Sequence, residues 1–400
     1  MLGVRQEEVL LVAVIELRQA GGDPDQYLLD TAEPSGAEPG VYADTQRRHP
    51  EVDAYAAGVN ASRPKVSAVI PNHNGATPRN GLTYLELILP SLRAQSFRDF
   101  DVTVVDNGST DGSAEYLARE WPEVRVVELA GNMGFPAAVN HGIAASRGEY
   151  IALLNNDLEL SANWMEQLVG ELDRDAALGF VTGKILRFAE RDVIEQAGHD
   201  FYTCGLFAQR GRDEKDTGQY DDPAPTAIVG AAAAIYRRAA VDRAGAFDED
   251  YFLYCEDADL CLRMLLAGYH GLYVPGPEAY HVRGGTAGQN SERSRFYLAR
   301  NTLITQLKDL PAGTLLEALP KILLYQYHQF AEARAAGLAR TMLRAYGSFL
   351  RAVFQTLRKR RRIQRSRRIT AQEFASNLLS EYPLPTRFSR RRPPVAKSVP

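Results

Sequence analysis

Residues 102–113 read VTVVDNGSTDGS, an apolar strand that runs directly into a loop of acidic, small and polar side chains. Three further apolar runs end in loops of the same kind, and helical patterns separate them. The runs are residues 66–70, 124–128 and 150–154, and the loops that follow them are PNHNG (71–75), GNMGF (131–135) and NND (155–157). Strands that alternate with helices predict βαβ units. We therefore expect an α/β fold with a Rossmann-like, mostly parallel sheet flanked by helices.

The carboxyl ends of parallel strands meet at one edge of such a sheet, and ligands bind at that edge in this architecture. All four loops therefore belong to one expected binding edge. A chance placement of surface loops explains one or two polar strand ends, but it explains four in succession poorly. The sequence thus favours a ligand site over a purely structural domain.

Two carboxylates lie at the ends of these strands. Asp106 ends the second strand and is suited to accept hydrogen bonds from a base N–H or a ribose hydroxyl; the alternative is an Asx-turn or a cap for the next helix. Asp157 follows the fourth strand, where a fixed carboxylate suits a hard cation that holds phosphate oxygens; the alternative is an ordinary turn. Each residue alone is weak evidence.

The second half of the chain supplies further candidates. Gly230 opens a Gly- and Ala-rich segment that permits the close approach of a ligand or a helix backbone. Glu256 and Asp257 are predicted at the start of a helix, where the dipole and the free N–H groups stabilise carboxylates. Asp257 there suits a general base for a hydroxyl. The structural alternative is a capping cluster with an Asp259–Arg263 pair one helical turn apart.

His281 and Arg283 flank a valine just before a Gly-Gly turn. A lone histidine is more often structural than a metal ligand, yet Asp157 requires a second ligand and an imidazole supplies one. The guanidinium fork of Arg283 matches the oxygens of a diphosphate. The sequence contains no GxGxxG, Walker A, GxSxG or HExxH pattern.

Taken in this order and spacing, the motifs resemble the family-2 glycosyltransferases of the GT-A fold, in particular their rhamnosyltransferase-like branch. The resemblance covers about residues 65–310. Its motifs are VIPNHN (69–74), VDNGSTDGS (105–113), NMGF (132–135) with Asn140-His141-Gly142, LNND (154–157), EDADLCLR (256–263) and His281.

The resemblance implies roles for these residues. It implies a nucleoside- and donor-binding edge made of Pro71, Asn72, Asn74, Asp106, Asn132, Gly134 and Asn156. It implies a catalytic base, Asp257, and a divalent metal (Mg or Mn) held by Asp157 and His281. It places Glu256, Arg283 and Gly230 on the acceptor or diphosphate side. The metal signature reads Asn-Asn-Asp here, so only one of its acids is present.

The resemblance also implies a reaction. A sugar, with rhamnose the leading candidate, moves with inversion from a dTDP- or UDP-sugar donor to a glycan or lipid-linked acceptor in cell-wall or polysaccharide biosynthesis. The incomplete acid signature motivates an alternative, a non-catalytic nucleotide-sugar-binding or scaffold protein of the same fold. A nucleotidyltransferase is a third option, but it requires a basic, Gly-rich loop where NHNG stands at residues 72–75.

Charge is distributed unevenly along the 400 residues, although the net charge is only −4. Residues 331–400 hold 17 Lys and Arg against 3 Asp and Glu, a balance of +14, and the rest of the chain carries −18. From Leu338 apolar residues recur every three or four positions with arginines opposite, which predicts an amphipathic helix. We expect this helix to lie on an anionic membrane face. The alternative is a helix packed on the catalytic domain; nucleic acid is disfavoured, because the tail has few interleaved aromatics and the body is acidic.

The expected domains are a weakly ordered N-terminal arm (1–62), a catalytic domain (63–310), a helical, basic, membrane-associating region (311–370) and a flexible tail (371–400). Three cysteines exclude a disulfide scaffold, and we expect Cys255 and Cys261 in the core. No apolar run reaches the roughly 20 residues that span a bilayer, and no leader is recognised. We therefore expect a cytoplasmic protein that is peripheral at the inner face of the cell membrane.

Overall fold

The computed structural model of the chain describes residues 63–78, 83–203, 205–282 and 291–377. The predicted N-terminal arm, Arg283 and residues 378–400 of the predicted tail lie outside the described residues. All described residues belong to one unit, residues 61–400.

The first half alternates strands and helices, as the sequence predicts. Its elements are β1 (Val66–Asn72), α1 (Leu85–Arg93), β2 (Phe100–Asp106), α2 (Ser113–Glu120), β3 (Arg125–Glu128), α3 (Phe135–Ala145) and β4 (Tyr150–Leu154). In β1, Ala68 and Ile70 share a cluster with Ile88 of α1. Val69 points to the other face, where α3 approaches so closely that a Cβ on Gly142 would lie 2.4 Å from Val69 Cγ1. Both faces of β1 are covered, which explains its continuous apolar sequence.

The second half adds further strands to the same sheet and forms a separate two-stranded sheet. Its elements are β5 (Leu158–Leu160), α4 (Trp164–Arg174), β6 (Leu178–Arg187), β7 (Ile194–Gln196), β8 (His199–Phe201), β9 (Phe207–Gln209), β10 (Ala224–Thr226), β11 (Ala233–Arg237), α5 (Arg238–Ala244), α6 (Glu256–Leu266) and β12 (His270–His281). Strands β8 and β9 pair with each other in the separate two-stranded sheet. A 3₁₀ turn at Glu249–Tyr251 precedes α6. Helix α4 packs on β6 and β12, and its Trp164 and Leu168 are fully buried.

The main sheet has the order β3-β2-β1-β4-β11-β6-β12-β10 along its path through the described residues. Strands β1 to β4 are mutually parallel, β11 runs antiparallel between β4 and β6, and β12 is parallel to β6. The carboxyl ends of β1, β2, β3, β4 and β12 therefore lie on the same edge as the start of β11. The expected α/β fold with a mostly parallel sheet is confirmed, and this edge is the predicted binding edge.

Four C-terminal helices follow the sheet: α7 (Glu292–Asp309), α8 (Ala312–Ala335), α9 (Ala339–Ser366) and α10 (Ala371–Ala375). Helix α9 is the predicted amphipathic helix, and it packs along α7. Its apolar residues Met342, Ala345 and Val353 are buried there. The expectation that this apolar face meets a membrane is therefore wrong, because the face is already covered by protein.

The first residues of the predicted flexible tail (371–400) are helical. Helix α10 occupies residues 371–375 and begins with a capping box, in which Thr370 and Glu373 each accept a hydrogen bond from the backbone N–H of the other. Phe374 is fully buried and meets the ring of Phe201 edge to face. Among the described residues, no helix has the length and apolar character that a membrane span requires.

Candidate active site

Three loops of the binding edge are joined by amide side chains. Asn72, at the end of β1, donates from Nδ2 to Asp106 Oδ1 at 3.0 Å, and its Oδ1 accepts from Asn156 Nδ2 at 2.8 Å. All three side chains are buried. The loops after β1, β2 and β4 are therefore locked together, as the predicted nucleoside edge requires.

Two further residues complete this corner. Ser109 Oγ accepts from the backbone N–H of Asn74 at 2.9 Å, and Asn74 Oδ1 accepts from Thr110 N at 2.8 Å. Asp106 Oδ2 accepts from Ser109 N at 3.1 Å, so the turn that the sequence offered as an alternative is present. Pro71 is half-buried in β1 beside these residues. Asp106 thus shapes the loop and lies at the predicted edge at the same time.

The loop after β3 is held by amide groups. Asn107 Oδ1 accepts from Met133 N at 2.8 Å, and Asn132 Oδ1 accepts from Gly134 N at 3.0 Å. Gly134 has a φ of 90°, and a Cβ there would lie 2.7 Å from Phe252 O. Only glycine fits this position, because both the conformation and the neighbouring backbone exclude a side chain. The predicted donor residue Gly134 therefore packs against the segment that precedes Asp257, and Asn132 holds the backbone of Gly134.

Asp157 and His281 meet at the ends of β4 and β12, as predicted. Asp157 Oδ1 lies 3.1 Å from His281 Nε2, and both side chains are buried. His281 Nδ1 lies 3.0 Å from Glu195 Oε2, which fixes the ring from its other side. Burial alone lowers the pKa of His281, but the carboxylates of Asp157 and Glu195 outweigh it and raise that pKa well above its ordinary value.

The pair is compatible with a shared divalent cation. Asp157 Oδ1 and His281 Nε2 lie 3.1 Å apart, and an oxygen with an imidazole nitrogen suits Mn²⁺ or Mg²⁺ with further ligands from phosphate. In the part of the chain that the structure describes, no cluster of three or more His, Cys, Asp or Glu is arranged for a metal.

Glu195 was not predicted from the sequence. It lies in the three-residue strand β7, which pairs with β6 through an irregular register. No motif surrounds it, and its partner His281 is 86 residues away along the chain. The pairing appears only when β7 and β12 are placed on either side of β6.

Asp257 lies in the first turn of α6 and accepts hydrogen bonds from two backbone amides. Oδ1 accepts from Ala258 N at 2.7 Å, and Oδ2 accepts from Ala231 N at 3.2 Å. Burial raises the pKa of the Asp257 carboxyl above its usual value, although these amides act in the opposite direction. The half-buried carboxylate is thus a stronger base than a free aspartate.

Glu256, next to Asp257 in the chain, is also buried. Burial and the neighbouring Asp257 charge raise the pKa of the Glu256 carboxyl well above its usual value. Within the described residues, its Oε2 atom has no hydrogen-bond partner. The predicted Asp259–Arg263 pair is present beneath it, with Arg263 Nη2 2.8 Å from Asp259 Oδ2. The capping alternative therefore accounts for Asp259 but not for Glu256.

The segment 230–232 joins Asp257 to the Asp157–His281 pair. Ala231 N donates to Asp257, while Ala232 O accepts from Asn155 N at 2.8 Å, two residues before Asp157. Gly230 packs against the Gln196 amide, the neighbour of Glu195. Asp257 and the loop that carries Asp157 thus contact consecutive residues of one short segment at the start of β11. Of the predicted site residues, only Arg283 lies outside the described part of the chain.

Comparisons with known proteins give a consistent family. Residues 67–245 match the family model of glycosyl transferase family 2. An N-acetylglucosaminyl-diphospho-decaprenol L-rhamnosyltransferase of Mycobacterium tuberculosis (strain ATCC 25618 / H37Rv) is 28% identical over 229 residues, covering 52% of this chain and 74% of that protein. A pre-mycofactocin glycosyltransferase of the same strain is 29% identical over 215 residues, covering 52% of this chain and 41% of that protein.

Solved structures show a weaker likeness. S. aureus TarS superposes with a TM-score of 0.49 at 17% sequence identity, covering 76% of this chain and 55% of that chain. A likeness of this size supports no functional argument. The match over residues 67–245 and the curated relatives show that this part of the chain is a family-2 glycosyltransferase domain, similar to the rhamnosyltransferase-like branch.

Proposed function

We propose that this glycosyltransferase is an inverting enzyme in which Asp257 is the general base. The observation that carries the proposal is that Asp257 and the loop that carries Asp157 contact consecutive residues, Ala231 and Ala232. Asp257 would then act as the base, and the Asp157–His281 pair would act at the diphosphate of the donor.

The reaction follows from these positions. An acceptor O–H gives its proton to Asp257 while its oxygen attacks the anomeric carbon from the face opposite the diphosphate. The new C–O bond forms as the bond to the diphosphate breaks, so the configuration inverts. The amides of Ala231 and Ala258 hold the carboxylate in place. No covalent sugar intermediate forms in this single displacement.

Asp157 and His281 would hold a divalent cation, with Glu195 fixing the imidazole. When bound, such an ion neutralises the charge that develops on the departing diphosphate. The buried amide network of Asn72, Asp106 and Asn156 would bind the nucleoside. These residues orient the donor so that its anomeric carbon faces Asp257.

The donor and acceptor classes are proposed from the relatives. One relative is by name a rhamnosyltransferase that acts on a diphospho-decaprenol-linked sugar. We therefore propose a dTDP- or UDP-sugar donor, with dTDP-rhamnose first, and a glycan or lipid-linked acceptor in cell-wall or polysaccharide biosynthesis.

We propose that the outer side of α9 binds an anionic membrane surface at the cytoplasmic face. Arg351, Arg358, Arg362 and Arg365 are exposed on that helix. Phe354 and Leu343 are exposed there too, at 62% and 59%, and Tyr327 of α8 is 68% exposed. Arginines beside exposed apolar side chains are typical of helices that lie in a bilayer interface. The proposed membrane-binding surface is thus the outer side of α9 and not the apolar face that the sequence indicates.

The experiment that tests the proposed function is a hydrolysis and transfer assay with dTDP-rhamnose and UDP-sugars in the presence of Mn²⁺. We expect turnover by the full chain and its loss in Asp257→Asn, with the Tm of that variant close to wild type. The non-catalytic alternative predicts a rise in Tm with a nucleotide-sugar but no turnover. Near-full transfer by folded Asp257→Asn would contradict the base assignment.

A further inference from the structure

The backbone immediately before Asp257 is strained. Phe252, Tyr254 and Cys255 have φ values of 61°, 67° and 68°. Residues other than glycine rarely adopt positive φ, and three do so here within four positions. A backbone of this kind persists only where its surroundings hold it in place. The segment 252–255 therefore depends on contacts from outside itself.

One side chain of α7 provides such contacts. Asn301 is fully buried, and its Nδ2 lies 3.0 Å from Tyr251 O, 2.8 Å from Leu253 O and 2.9 Å from Tyr254 O. One side-chain amide thus donates to three backbone carbonyls at this bend. Replacing it removes this donor from Leu253 O and Tyr254 O, whereas Tyr251 O still accepts from Leu253 N at 2.7 Å.

The segment links the donor loop to the base. At one end, Phe252 O accepts from Phe135 N at 2.8 Å, and Phe252 packs against Gly134. At the other end, Cys255 is the N-cap of α6, so Asp257 follows only two residues later. A shift of the segment therefore moves both the donor loop and the base.

Neighbouring contacts hold the start of the same segment. Arg300 Nη1 donates to Asp250 O at 2.8 Å, and Lys359 of α9 lies 2.6 Å from Asp250 Oδ2 and from Asp248 Oδ1. The ring of Tyr297 stacks on Phe252 with centroids 5.4 Å apart. Helices α7 and α9 thus form one wall behind the segment.

We propose that Asn301 is a positioning residue that holds the strained segment so that Asp257 reaches the Ala231 amide. The inference rests on the proposed role of Asp257 as base. Asn301 lies well beyond residue 245, where the family-2 match ends. Helix α7 therefore acts on catalysis through the segment 252–255, and the C-terminal helices are part of the catalytic unit.

The test compares Asn301→Ala with Gln306→Ala in the full chain. Gln306 is a matched control, because it is a buried amide on the same helix whose Nε2 donates to Gly205 O at 3.1 Å, outside the segment. The readout is hydrogen–deuterium exchange at the Ala231 amide, which donates to Asp257 Oδ2. We expect at least tenfold faster exchange there in Asn301→Ala and no change in Gln306→Ala. Unchanged exchange at Ala231 in folded Asn301→Ala overturns the proposal.

A kinetic arm separates this inference from the proposed function. With dTDP-rhamnose and Mn²⁺, kcat of Asn301→Ala should fall at least tenfold and by more than KM changes, whereas Gln306→Ala stays near wild type. Equal kcat in Asn301→Ala and wild type contradicts the positioning role. If wild type turns over no dTDP- or UDP-sugar while Ala231 still responds, the proposed function fails and the positioning stands. Should Asn301→Ala not fold, Asn301→Ser, which keeps one shorter donor, should show an intermediate change at Ala231.

Discussion

Asp257 shows how its surroundings set the properties of a single carboxylate. Burial raises its pKa, while two backbone amides keep its oxygens directed and prevent the shift from becoming larger. Its neighbour Asp259 is buried too, yet its pKa lies below the ordinary value because Arg263 and Lys308 outweigh burial. Two acids of one helix turn therefore serve different purposes, and only Asp257 is suited to accept a proton.

The pH dependence of transfer follows from that difference. A base acts when it is unprotonated, so kcat should decline as the pH falls through the raised pKa of Asp257 and level off above it. The decline should begin at a higher pH than an ordinary aspartate, near 3.8, would give. The check is a kcat–pH profile of wild type beside Asp257→Asn, whose residual rate, about 10²- to 10⁴-fold lower, should lack this limb. If both proteins showed the same decline of kcat at low pH, a titrating group other than Asp257 would be responsible for it.

Gly134 allows a second prediction at the residue scale. Gly134→Ala places a Cβ 2.7 Å from Phe252 O at a φ of 90°, so the donor loop must shift. We expect a loss of dTDP affinity of tenfold or more, measured by calorimetry, and a lower Tm. Gly131→Ala is the matched control, because a Cβ there has no atom within 4 Å. Equal effects in the two variants would show that glycine is not required at 134.

At the scale of elements, helices α6, α7 and α9 are joined by buried charges. Lys308 of α7 lies 2.5 Å from Asp248 Oδ2 and from Asp259 Oδ1, and Lys359 of α9 also reaches Asp248. Although burial disfavours a charged carboxyl, the two lysines hold the pKa of Asp248 well below its ordinary value. This network fixes the C-terminal helices against the start of α6, where Asp257 lies.

Removing the central lysine should therefore be costly. Lys308→Met removes one of the two cationic partners of each buried carboxylate, so that Asp248 keeps only Lys359 and Asp259 keeps only Arg263 among these partners. Breaking a buried pair costs about 3–5 kcal/mol. We expect that loss in the free energy of unfolding from denaturant titration. Lys321→Met on α8 is the control, since Lys321 is exposed and its Nζ lies 3.5 Å from the neutral hydroxyl Thr203 Oγ1. Similar stabilities for the two variants would show that the network is not essential.

At the scale of the whole molecule, the tertiary structure places the basic end of the chain on an acidic body. Residues 331–400 carry +14 against −18 for the remainder. Helix α9 directs Lys359 and Arg360 inward, where Arg360 Nη1 donates to Leu307 O at 2.7 Å and Leu310 O at 2.6 Å. Its outward arginines remain available to an anionic surface.

Vesicle binding tests that arrangement. Changing Arg351, Arg358, Arg362 and Arg365 to Gln removes four charges that are worth about 1 kcal/mol each near an anionic surface. We expect at least a hundredfold weaker binding to phosphatidylglycerol-containing vesicles by sedimentation, and weaker binding of wild type at high salt. The control changes Arg93, Arg119 and Arg174, exposed arginines of α1, α2 and α4, to Gln. If both variants lost vesicle binding equally, the net charge of the protein, and not the outer side of α9, would explain the binding.

The sequence alone determined the alternation of strands and helices from residue 66 to 154, because that alternation rests on local apolar periodicity. It also determined the edge that Asn72, Asp106 and Asp157 share, since parallel strands end on one side of a sheet. The helix from residue 338 followed from the same periodicity, but which surface it meets did not.

The tertiary structure decided every relation between distant segments. Glu195 reaches His281 only because β7 and β12 flank β6, and Asp257 reaches Ala231 only because α6 begins beside β11. Asn301 contacts the strained segment from a helix that no motif marks. Such contacts depend on how whole elements pack against one another, and periodicity along one element carries no information about its partners.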